Sequence, residues 1–129
     1  MLTIARAIPA DFLDVAALDR EAWGENAHAT YIPDGEHVWR IWCEHALTYI
    51  ARQNEQLAGV VLAFPCRGDA GYCLHKIMVR REARGQGIAA QLLEALLGEI
   101  DQLGVDLFLT VDPANATAIR LYQRWGFTD

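Results

Sequence analysis

Residues 75–103 change their apolar spacing once, and that change dictates a strand, a turn and a helix. Ile77 and Val79 are β-branched residues two apart, whereas Ile88, Leu92, Leu93, Leu96, Ile100 and Leu103 recur at helical spacing. Gly85 and Gly87 stand at the changeover, where a helix begins. The first-turn amides of a helix lack intrahelical acceptors and meet the positive end of its dipole, so such a place attracts anions. Glycines let the backbone approach a phosphate closely, and Arg80, Arg81 and Arg84 add positive charge to the same turn. A pyrophosphate suits this turn; a plain tight turn has the same sequence.

The spacing excludes some phosphate binders. No Gly-x-x-x-x-Gly-Lys-Ser/Thr is present, so the turn is not a P-loop. Gly85-Gln-Gly87-Ile-Ala-Ala90 does fit the dinucleotide pattern Gly-x-Gly-x-x-Gly/Ala. That fold also wants an acidic residue closing the next strand, about 20 residues on. Asp106 has the spacing but opens its strand, Asp112 lies too far along, and too little chain follows for a doubly wound sheet. A nicotinamide cofactor is therefore the weaker reading.

Upstream, Leu2, Thr3, Ile4, Ala5 and Arg6 alternate as a strand, and Pro9 suits the first turn of a helix reaching about Trp23. Phe12, Val15, Leu18 and Ala22 make its apolar face, Asp11, Asp14, Asp19 and Glu21 point outward, and Gly24 ends it. A polar loop with Asn26, His28, Tyr31 and Pro33 follows. A second helix is expected over residues 35–45, capped by Asp34, with Val38, Ile41, Trp42 and His45 on its apolar side. Residues 48–52 and 57–64 read as a hairpin around Gln-Asn-Glu-Gln. After the glycine turn, Gly104 closes the long helix, residues 105–111 form a strand, and Asp112-Pro113 ends it. Asn115 then starts a short helix carrying Ala118, Ile119, Leu121 and Tyr122, with a stub strand at Phe127.

With 129 residues the chain is expected to form one domain, residues 1–129. The balance of 53% hydrophobic and 22% charged residues argues against disorder. A net charge of −6, with no basic stripe interleaved with aromatics, argues against nucleic acid and suits a cationic amine. Cys43, Cys66 and Cys73 are scattered, so reduced buried thiols are expected. The longest apolar run, residues 57–64, is too short to span a bilayer, and no signal-peptide core precedes it. A cytoplasmic protein without a membrane partner follows. His28, His37 and His45 show no metal-ligand spacing, and no metal site is expected.

Arg84-Gly-Gln-Gly87-Ile-Ala89 resembles the acetyl-CoA pyrophosphate motif of the GNAT acetyltransferases, Gln/Arg-x-x-Gly-x-Gly/Ala. Downstream, Leu109-Thr-Val111-Asp-Pro-Ala-Asn115-Ala-Thr-Ala118-Ile119-Arg-Leu121-Tyr122-Gln-Arg-Trp-Gly126-Phe127 resembles that family's second signature. The pair is far more specific than either half. The resemblance implies an α/β (α+β) fold: a mixed, mostly antiparallel central sheet with splayed parallel central strands, flanked by helices. It implies acetyl-CoA as cosubstrate and an amine as acceptor. Its C-terminal strands are shortened here, since the chain stops at Asp129 where that fold continues; a shortened form or a homodimer with a partner-supplied strand is expected.

In such a fold, backbone groups of Ile77, Met78 and Val79 bond the pantetheine arm. Residues 84–89 (Arg84, Gly85, Gln86, Gly87, Ile88, Ala89) grip the pyrophosphate, and Asn115 bonds the arm or caps its helix. Tyr122 occupies the family's general-acid position, though it also reads as a packed core tyrosine. The base is less defined. Thr110 stands where protein-modifying members often carry Glu, and the preceding strand offers His75, expected on the same face as Ile77; Glu25, Glu44 and a water chain are alternatives. Trp23, Trp39 and Trp42 either line the acceptor wall or pack in the core. The implied activity is direct N-acetyl transfer in a ternary complex; the alternative is a CoA-binding module without catalysis.

Overall fold

A computed structural model describes residues 1–25, 33–66 and 71–128, except the side chains of Trp23 and Glu25. The expected residues Asn26, His28 and Tyr31 lie outside the described set, as do the side-chain roles considered for Trp23 and Glu25.

Five strands form one sheet in chain order: β1 (Leu2–Arg6), β2 (Leu47–Gln53), β3 (Gln56–Pro65), β4 (Tyr72–Val79) and β5 (Leu107–Phe108). Neighbours from β1 to β4 are antiparallel, whereas β5 runs parallel to β4. The helices are α1 (Phe12–Glu25), α2 (Glu36–His45), α3 (Ile88–Leu103) and α4 (Ala116–Arg124). Among the described residues, no helix is long and apolar enough to cross a membrane.

The sheet separates two cores. On one face Val15 and Leu18 of α1 and Trp39 and Cys43 of α2 pack on Ile50, Val60, Leu62 and Met78. On the other, Ile88, Leu92, Leu93, Leu96 and Ile100 of α3 pack on Ala51, Ala58, Val61 and Ala63. β3 is covered on both sides, which is why its sequence is continuously apolar instead of alternating. Asn54 and Glu55 turn the β2–β3 hairpin with φ of 52° and 70°, the left-handed pair that matches strand twist in a two-residue turn.

Several expectations are corrected. α1 follows a short 3-10 turn, Pro9–Asp11, and runs through Gly24 to Glu25. α2 is preceded by Gly35 without a side-chain cap, because the Asp34 carboxylate is engaged elsewhere. Its buried residues are Trp39 and Cys43, four apart, while Ile41 and His45 are exposed. Leu103, at the end of the α3 stripe, is 49% exposed. The strand expected over residues 105–111 pairs only at Leu107 and Phe108, and Phe127 lies in no strand.

The cysteines are corrected as well. Cys66 and Cys73 form a disulfide, with Cα atoms 6.0 Å apart. Pairing of β3 with β4 sets Pro65 opposite Tyr72, and the Cys66 N–H donates to the Gly71 carbonyl at 3.0 Å, so residues separated in sequence become neighbours. Cys43 is a buried free thiol, pushed up to about 11 by burial and the nearby Asp11 charge.

Candidate active site

β4 and β5 begin together and then part. Tyr72 pairs with Leu107 and Cys73 with Phe108, after which β4 continues to Val79 while residues 109–111 join no strand. Among the described residues, the β4 edge away from β3 therefore has no strand beside it beyond Cys73. The Arg80 N–H donates to the Ala58 carbonyl at 2.7 Å, so strand alternation turns the backbone of Met78 toward β3 and the backbones of Ile77 and Val79 into the opening. Of the three residues expected to bond the pantetheine arm, Ile77 and Val79 turn their backbones into the opening, and Met78 is corrected: its backbone turns toward the β3 ladder.

The glycine turn lies past the end of β4. Gly85 and Gly87 have φ of 82° and 77°, and a Cβ on either would meet nothing within 4 Å. Backbone conformation, not crowding, demands glycine there, and the space above the turn is open. Gly87 caps α3 without a side-chain bond, and the first helical bond runs from the Gln91 N–H to the Gly87 carbonyl at 3.1 Å. The amides of Ile88, Ala89 and Ala90 consequently have no acceptor within the helix. The Ile88 side chain is buried in the core beneath, and Gln86 turns aside to accept from Gln53 Nε2 at 2.8 Å.

Of the three arginines, Arg80 is drawn off: its Nε donates to the Leu57 carbonyl at 2.9 Å and its Nη1 pairs with Glu21 at 2.8 Å. Arg84 is exposed and lies across the turn, its Nε donating to the Val79 carbonyl at 3.1 Å. Arg81 is exposed.

Asn115 caps α4, its Oδ1 accepting the Ala118 N–H at 3.1 Å. Two turns along, Tyr122 is half-buried, its ring edge-on to Phe127 at 5.7 Å between centroids. It lines a cavity of about 470 Å³ with Ile119 of its own helix and with Leu109 and Val111, which follow the parting of β5 from β4. Burial raises the phenol above its usual value of 10.0, so it keeps its proton through neutral pH.

His75 is corrected. Leu62 pairs with Lys76 and Ala63 with Leu74, leaving His75 as the extra residue of a β-bulge. The bulge breaks the alternation, so Leu74 and Ile77 both pack on the α3 side, while His75 lies against Trp42 and Phe64 on the α1–α2 side, at 5.2 and 5.4 Å between ring centroids. Its Nε2 is 3.1 Å from Asp34 Oδ2. Trp39 is fully buried and Trp42 partly so, and both pack in this core. Glu44 pairs with His45 at 3.6 Å, both exposed, and Thr110 is exposed.

One group of charges escaped the sequence reading. Asp19, expected outward, is fully buried and accepts from the Asp34 N–H at 2.7 Å, Trp39 Nε1 at 2.9 Å and Lys76 Nζ at 2.9 Å. Lys76 also meets Asp34 Oδ2 at 2.7 Å. The signal was present: Asp19 lies four residues after Val15, one helical turn along the apolar face.

With the geometry in view, comparison with known proteins decides the kinship. The model of the Acetyltransferase (GNAT) family matches residues 12–127. The chain belongs to the GNAT acetyltransferase family. It is 33% identical over 78 residues to the L-methionine sulfoximine/L-methionine sulfone acetyltransferase of Pseudomonas aeruginosa, covering 54% of this chain and 45% of that protein. It is 33% identical over 87 residues to the [Ribosomal protein bS18]-alanine N-acetyltransferase of Escherichia coli, covering 67% of this chain and 57% of that protein. The matches thus span about half the length of these curated relatives. The GNAT acetyltransferase structure from Streptococcus pneumoniae superposes with a TM-score of 0.85 at 23% identity, covering 99% of this chain and 85% of that one. The mixed sheet with parting parallel strands is the GNAT fold that the two motifs implied.

Proposed function

We propose that this GNAT domain is an acetyl-CoA-dependent N-acetyltransferase acting on a primary amine by direct attack in a ternary complex. The observation that carries the reading is the juxtaposition of the parted β4 edge with the open glycine turn: one offers strand-like backbone partners, the other a row of first-turn amides. The Ile88 and Ala89 amides, with Arg84, would hold the diphosphate, and the backbones of Ile77 and Val79 would hold the pantetheine arm. Acetyl-CoA would supply the activated acyl group. The amine nitrogen forms its bond to the carbonyl carbon as the carbon–sulfur bond breaks. His75 takes the proton released by the nitrogen, Tyr122 gives its phenolic proton to the departing thiolate, and an amide near the bulge stabilises the oxyanion. Asn115 would serve chiefly by starting the helix that carries Tyr122.

Cytoplasmic placement belongs to the same proposal and rests on the acetyl-CoA reading alone, since the Cys66–Cys73 disulfide removes the support that reduced thiols gave it. The measurement that tests the whole is release of CoA thiol from acetyl-CoA across a panel of amines: L-methionine sulfone, a peptide with N-terminal alanine, a polyamine and an aminoglycoside. Acceptor-dependent release supports the enzyme. Tight CoA binding with no release across the panel would leave a binding module, and calorimetric binding of NADPH in place of acetyl-CoA would overturn both.

A further inference from the structure

We infer that Asp34 is a positioning residue for His75: it fixes the tautomer of the imidazole and holds the ring at the mouth of the β4–β5 opening, so that Nδ1 serves as the basic nitrogen. This rests on the acetyltransferase reading above and deepens it.

His75 sits two residues past Cys73, the last residue of β4 that pairs with β5. The bulge turns it to the α1–α2 side, where Trp42 and Phe64 border its ring and 34% of the side chain stays open. A carboxylate accepts and does not donate. Asp34 Oδ2, 3.1 Å from Nε2, therefore assigns the proton to Nε2 and leaves the lone pair on Nδ1. The same logic orients the histidine of a Ser-His-Asp triad, where the carboxylate also stabilises the imidazolium formed when the base takes its proton.

Asp34 can do this because it is itself fixed. Its N–H is tied to Asp19 and its Oδ2 to Lys76, whose ammonium lies on the buried Asp19 carboxylate and is only 8% exposed. Asp19 of α1, Asp34 before Gly35 and Lys76 of β4, far apart in sequence, thus form one hydrogen-bonded group beside His75. Among the described residues, the charged groups beside the ring are Asp34, Lys76 and, behind them, Asp19; Trp42 and Phe64 carry no charge. Two carboxylates against one ammonium leave a single negative charge, which an imidazolium balances as the amine gives up its proton.

The test has two parts on the full chain. With 15N-labelled histidine, long-range proton–nitrogen spectra of neutral His75 should show the Nε2–H form, and Asp34→Asn should mix the tautomers. An Nδ1–H form in the unaltered protein overturns the inference even if the variant fails to fold. In steady-state transfer to the fastest amine of the panel, His75→Gln should lower kcat on the order of 100-fold and Asp34→Asn at least about tenfold, with KM for acetyl-CoA unchanged. The double variant should be no slower than His75→Gln. If His75→Gln leaves kcat intact, the base assignment fails and this inference with it. If His75→Gln is slow but Asp34→Asn alters neither tautomer nor kcat, only the role of Asp34 is overturned.

Discussion

Cys73 faces Phe108 across the last pair that β4 makes with β5, and from that pair onward the two segments separate. The separation exposes the amides of Ile77 and Val79 on one side while Leu109 and Val111 line the Tyr122 cavity on the other. A covalent link from Cys73 to Cys66 ties the same point to the end of β3.

Tyr122→Phe should lower kcat on the order of 100-fold while leaving CoA affinity, measured by calorimetry, unchanged. An unaltered kcat would remove Tyr122 from the acid role. Burial raises the phenol above 10.0, so the stability it contributes is fully present below the unfolded value and is lost as pH rises through the higher folded one. Thermal midpoints followed from about pH 9 to about pH 11 should fall more steeply for the parent than for Tyr122→Phe.

Gly87→Ala places a Cβ in open space at a φ of 77°, so its cost is backbone strain alone, about 1 kcal/mol. Relief of that strain would rotate the first-turn amides of α3. CoA affinity should weaken by about tenfold, equivalent to about 1.4 kcal/mol, with only a small drop in urea midpoint.

Asp19→Asn keeps an acceptor for Trp39 Nε1 but removes the buried charge opposite Lys76. Chemical denaturation should show a loss of about 3 kcal/mol, the scale for breaking a buried ion pair. Adding Lys76→Met should restore none of it, because after Asp19→Asn the ammonium still pairs with Asp34 at 2.7 Å and Asp34 would then lose that partner.

Alkylation of the unfolded, unreduced chain should modify one cysteine, Cys43, and all three after reduction. Three adducts without reductant would show an open thiol pair. Cys66→Ser should cost about 2.5 kcal/mol, the closure entropy of so short a loop, with little effect on α3.

The parts legible in the chain are those whose cause lies within about a dozen neighbours. The five buried residues of α3, the left-handed Gly87 and Gly104 at its ends, the Asn54–Glu55 turn and the Asn115 cap all follow from periodicity or from one residue's backbone preference. The face of His75 was not legible. A bulge depends on how β3 and β4 settle against each other, and one extra residue reverses every assignment based on alternation. Nor was the inner face of α2, where Trp39 and not Ile41 turns inward because its Nε1 finds Asp19.

Local sequence thus determined the strand, the glycine turn and the helix of the proposed phosphate seat, because backbone geometry and apolar spacing act over short range. Tertiary structure alone decided the Cys66–Cys73 link and the meeting of Asp19, Asp34, Lys76 and His75. Burying those charges is tolerable only when each finds its partner, and partners 15 to 57 residues apart are chosen by the packing of α1 and α2 on the sheet.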